Sequence, residues 1–89
     1  MRIKKGFKLK LLSGRQTVVA DRRIIKDFEN VIILNETAVY IWNLMYEKDV
    51  LKEKIPELLA DAFNMPILMA TNNANVFIKT MRENGIIED

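Results

Sequence analysis

The chain changes its hydrophobic rhythm part-way along. Phe7, Leu9 and Leu11 alternate with Lys8 and Lys10, a period of two that predicts a half-buried strand. Ser13-Gly14 supplies a turn, and Thr17-Val18-Val19-Ala20, rich in β-branched residues, predicts the returning strand of a hairpin. Ile24-Ile25 can prolong that second strand, and Asp27 to Asn30 reads as a turn. Val31 to Leu34 is a third strand, short and wholly apolar.

From Asn35 onward the period becomes that of a helix. Asn35 is a good N-cap, because its side-chain oxygen can accept from the free N–H groups of the first turn. Glu36 adds negative charge where the helix dipole favours it. Ala38, Ile41, Trp42 and Met45 then form one apolar stripe. A second helix is expected over about Leu51 to Phe63, with Ile55, Leu58, Leu59, Ala62 and Phe63 inward and Asp49 as its cap. Pro56 lacks an N–H, so that helix has to begin within a turn before it. Pro66 suits a first helical position. The third helix runs to about Asn84 with Ala70, Ala74, Phe77, Ile78 and Met81 as its apolar face. Gly85 is a natural left-handed cap, and Ile86-Ile87 folds back as a closing segment. The fold class is therefore α+β, with three strands of an antiparallel sheet followed by three helices on one face.

Length bounds what this core can be. Eighty-nine residues predict one domain over residues 1–89, burying about 60–65% of the surface of the unfolded chain. Without cysteine there is no disulfide framework and no thiolate metal site. The basic start is broken by Lys8 and Lys10 and does not read as a signal peptide. No segment approaches the roughly 20 apolar residues of a membrane span. A cytoplasmic protein without a membrane partner is expected.

Charge changes the picture more. Residues 1–26 hold nine basic side chains and one acid, whereas residues 27–89 hold five basic and eleven acidic ones. Such polarity points to an anionic partner for the N-terminal part, or to lysines that guard a sheet edge. Candidate chemistry adds little. The chain has no histidine and no cysteine, which removes the usual general base and most zinc sites. Ser13 is the only serine, and Gly6, Gly14 and Gly85 lie too far apart to cradle a phosphate. Glu53, Glu57 and Asp61 recur every four residues among lysines, the pattern of a solvated helix face. No catalytic residue, metal ligand or cofactor is predicted, and the chain is read as a binding protein, not an enzyme.

Three binding surfaces compete. A winged helix would read nucleic acid with the third helix, which carries Asn72, Asn73, Asn75, Lys79 and Arg82, yet most of the basic residues lie in the strands. The apolar strand Val31–Leu34 stands at a sheet edge and can accept a peptide as a further strand. The same edge could instead pair with a second copy in a homodimer.

The segments LNETAVYIW at Leu34–Trp42, FIKTMRENGII at Phe77–Ile87 and GFKLKLLSGRQTVVA at Gly6–Ala20 resemble, in order, the motifs of the PqqD-like family. The resemblance implies a winged-helix-like fold and a RiPP recognition element. It implies a non-catalytic chaperone that binds the leader of a ribosomally made precursor peptide and presents it to a modifying enzyme, often of the radical S-adenosylmethionine (radical SAM) type. The leader would add beside Val31, Ile32, Ile33 and Leu34 and meet some of Asn75, Ile78, Lys79 and Arg82 on the third helix. Val76 and Thr80 lie on that helix's other flank, and the sequence leaves open which flank faces the groove. The resemblance is to the broad family, not to one pathway. The alternative reading is a winged-helix nucleic-acid binder.

Overall fold

A computed structural model describes residues 1–89. The elements run β1 (Arg2–Ile3), β2 (Phe7–Leu12), β3 (Arg15–Ala20), β4 (Ile33–Leu34), α1 (Glu36–Met45), α2 (Lys54–Phe63), α3 (Ile67–Glu83) and β5 (Ile87–Glu88). Strands β2, β3 and β4 form an antiparallel sheet in that order, and the three helices follow it. The α+β expectation holds. Ser13 and Gly14 both have positive φ, 50° and 76°. That is the two-residue turn whose twist matches a hairpin, and it sets the register Leu12 to Arg15.

A second, two-stranded sheet pairs β1 with β5 in antiparallel register, Arg2 with Glu88 and Ile3 with Ile87. The closing segment was expected to fold back, but its strand partner was not foreseen. Two-residue strands carry no readable period. Ile24 and Ile25 do not prolong β3. The chain turns at Asp21, whose carbonyl accepts from the N–H groups of both Ile24 and Ile25, at 2.9 and 2.8 Å. Gly6, with φ at 108°, fits beneath this turn, because a Cβ there would stand 2.8 Å from Ile25 Cγ1.

The core is a cluster of 17 buried residues. Trp42, Ile41 and Met45 of α1 are buried, as are Ala70, Ala74, Phe77, Ile78 and Met81 of α3. From α2 only Ile55 and Leu59 are buried; Leu58 and Ala62 are exposed and Phe63 is half-buried. Helix α2 begins at Lys54 and not near Leu51, and its N-cap position is Glu53, not Asp49. Pro56 is then its third residue, where no intrahelical N–H bond is yet required. Pro66 is the N-cap of α3, one residue before its expected place. Gly85 has φ at 68° and closes α3 as a left-handed cap.

Candidate functional site in a groove between strand and helix

β4 is shorter than its apolar run, because only Ile33 and Leu34 pair with β3, opposite Thr17 and Gln16. Val18 N–H still donates to Ile32 C=O at 2.9 Å, so Ile32 is held to β3 as well. Backbone groups of an antiparallel strand alternate in direction. Ile32 and Leu34 point theirs toward β3. The N–H and C=O of Ile33 therefore face the open edge, and Val31 makes no backbone hydrogen bond. Asn35 stops the strand. Its Oδ1 accepts from Ala38 N–H at 3.0 Å and from the Thr37 hydroxyl at 3.1 Å, which caps α1.

Beside that open edge lies a groove of about 270 Å³. One wall is Ile32, Ile33 and Leu34, continued by Asn35 and Thr37. The other is α3, through Asn73, Val76 and Thr80. Ile41, Phe77 and Met81 supply apolar surface between them. No charged side chain lines it. Val76 is 65% exposed, and Ile33 is 47% exposed. At one end the walls are joined, since Asn30 Nδ2 donates to Asn84 Oδ1. The opposite end, at Asn35 and Asn73, has no such cross-link.

The structure divides the site residues inferred from sequence. Ile32, Ile33 and Leu34 line the groove, and Val31, 79% exposed, extends the same edge. Asn75, Ile78, Lys79 and Arg82 do not line it. Ile78 is buried in the core, while Asn75, Lys79 and Arg82 turn to solvent and Arg82 holds Asp89 at 2.9 Å. The reason is helical rotation of about 100° per residue. With Phe77 and Met81 inward, Asn73, Val76 and Thr80 share the flank toward β4. The one sequence signal on this flank is Val76, an apolar β-branched residue among Asn72, Asn73, Asn75 and Lys79, and it does not by itself choose between the two flanks. No helix is long and apolar enough to cross a membrane.

A family model described as coenzyme PQQ synthesis protein D (PqqD) matches residues 11–87. The chain belongs to the PqqD family. This family consists of non-catalytic accessory proteins that bind peptides and partner the enzymes of PQQ and related ribosomal-peptide biosynthesis. The match runs from Leu11, near the end of β2, to the first residue of β5, so it includes both walls of the groove. No curated protein matches the chain, and no solved structure does.

Proposed function

We propose that this PqqD-family protein is a chaperone for the leader of a ribosomally made precursor peptide. The leader adds to the sheet beside β4 and lies in the groove against α3, held for a modifying enzyme of the radical SAM type. One observation carries the reading: an unpaired apolar strand edge faces an uncharged groove lined by Val76 and Thr80. An added strand would satisfy the outward N–H and C=O of Ile33, while alternate side chains enter the groove. Backbone pairing supplies affinity that tolerates sequence, and apolar lining supplies selection.

Lys79 and Arg82 stand outside the groove and would meet only those leader residues that extend beyond it. The test is an amide chemical-shift titration with the leader segment of any short precursor reading frame found beside this gene. Ile32–Leu34 and Asn73–Thr80 are expected to move most. Methylating the leader backbone nitrogen opposite Ile33 should weaken binding by about tenfold, the scale of one lost hydrogen bond to a desolvated edge. Shifts confined to β2 and β3 would reject the groove.

A further inference from the structure

The groove uses one edge of the sheet, and the densest positive charge lies at the other. A concavity of about 640 Å³ opens beside β2, with Lys5, Lys8, Lys10, Arg22 and Arg23 around it and Asp21 as its only acid. Asp21 is already engaged. Its carboxylate accepts from Arg23 Nε and Nη2 at 3.1 and 3.0 Å, and from Arg23 N–H at 2.9 Å. Lys5, Lys8, Lys10 and Arg22 have no ion-pair partner. Two lysines on β2 suffice to discourage edge pairing. Five cations gathered from β2, the preceding turn and the turn after β3 exceed that need.

We infer that this basic concavity is a second docking surface, and that it takes a carboxylate-rich patch on a folded partner protein. Its charge selects an anion, and its apolar content selects a protein surface. Leu12 and Ile24, 43% and 49% exposed, line it together with Val19 and Tyr46. Apolar residues ringed by charge are the make-up of a protein interface, where phosphate backbones would find no use for them. The position argues for a role distinct from the groove. β3 separates β2 from β4, placing the two edge strands about 10 Å apart, and a peptide added to β4 would extend the sheet away from β2. Both surfaces can be filled at once. The inference stands whether or not the groove takes a leader peptide.

The full chain, labelled with ¹⁵N, is titrated with poly-L-glutamate and separately with duplex DNA, at low and high salt. Poly-L-glutamate should shift the amides of Lys5–Leu12 and Arg22–Ile24 and leave Ile33 and Val76 unmoved. Its affinity should fall about tenfold in the Lys8→Glu, Lys10→Glu double variant. Lys8→Gln with Lys10→Gln should give a smaller loss, and all variants should unfold at the wild-type midpoint, as expected for exposed strand positions. Leader affinity should be the same in each, which separates failure here from failure of the groove. Tighter binding to DNA would overturn the inference in favour of a nucleic-acid surface. So would the absence of glutamate binding. A salt-dissociated dimer in sedimentation would reassign the concavity to a second copy of this chain.

Discussion

The two edges of one three-stranded sheet are finished in opposite ways. The β2 edge is six residues long, and strand alternation turns the backbone groups of Leu9 and Leu11 outward there. It carries Lys8 and Lys10, and Arg22 and Arg23 stand beside it. The β4 edge is two residues long, apolar, and backed by helices. Both expose the same unpaired N–H and C=O chemistry. On β2 any strand that approached would desolvate lysines, so the edge resists pairing. On β4 no charged side chain lines the groove that lies beside the edge. The two edges differ in the charge that guards them, not in the backbone groups they expose.

The largest expected effect sharpens that contrast. Val76→Arg would place a long charged side chain in the groove while altering a mostly exposed position. Leader binding should weaken by about 2 kcal/mol or more, roughly thirtyfold, measured by calorimetry. Unfolding in urea should stay within about 0.5 kcal/mol of wild type. Poly-L-glutamate binding at β2 should not change. Equal losses at both edges would mean that they are not separate surfaces.

A smaller effect comes from the junction that ends β4. Asn35→Ala removes the acceptor for Ala38 N–H and should lower stability by about 1 kcal/mol. Hydrogen exchange should quicken at Leu34 and the first turn of α1, while the β2–β3 ladder keeps its protection. Faster exchange along β2 would show that the two edges unravel together.

The smallest effect is confined to the basic edge. The Arg23 side chain, hydrogen-bonded to Asp21, holds that carboxyl below the usual carboxylate range, helped by the Arg23 backbone N–H and the nearby Lys8 charge. A lowered folded-state value means stabilisation that is present above the unfolded value near about 4 and lost as pH falls through the folded one. Because the pair is exposed, the gain is slight and screened by salt. Asp21→Asn should lower the thermal midpoint a little at neutral pH and match wild type in strong acid. A difference that persists unchanged in acid would assign the effect to the turn, not to the charge.

Much of this architecture was legible in the residues. The α3 stripe Ala70, Ala74, Phe77, Ile78 and Met81 is buried as its spacing predicts, and Asn35 and Gly85 cap as their chemistry predicts. These features are local, set by a period or by one side chain acting on the nearest backbone. The pairing of β1 with β5 was not legible, since it joins residues more than eighty positions apart through two-residue strands. The start of α2 was misplaced because Asp49 offers a capping side chain, yet that carboxylate stands 3.8 Å from the N-terminal amine and the helix starts at Lys54. The candidate groove was half legible. Its strand wall followed from an apolar run at an edge. Its helix wall depended on the rotation of α3 about its own axis, and the buried face leaves two flanks of equal standing. Tertiary packing alone sets Val76 and Thr80 against β4 and turns Lys79 and Arg82 to solvent.

The Asn30–Asn84 bond has a mechanical consequence. It fastens the segment entering β4 to the end of α3, so the two walls behave like the arms of a clothes peg with its spring at one end. Near Asn84 the arms can part only by stretching that fastening. Near Asn35 and Asn73 no side-chain bond joins the arms, which meet there only through the apolar floor of Ile41 and Phe77. A guest with its bulk at the far mouth would leave that fastening intact, whereas one with its bulk beside the spring would have to break it.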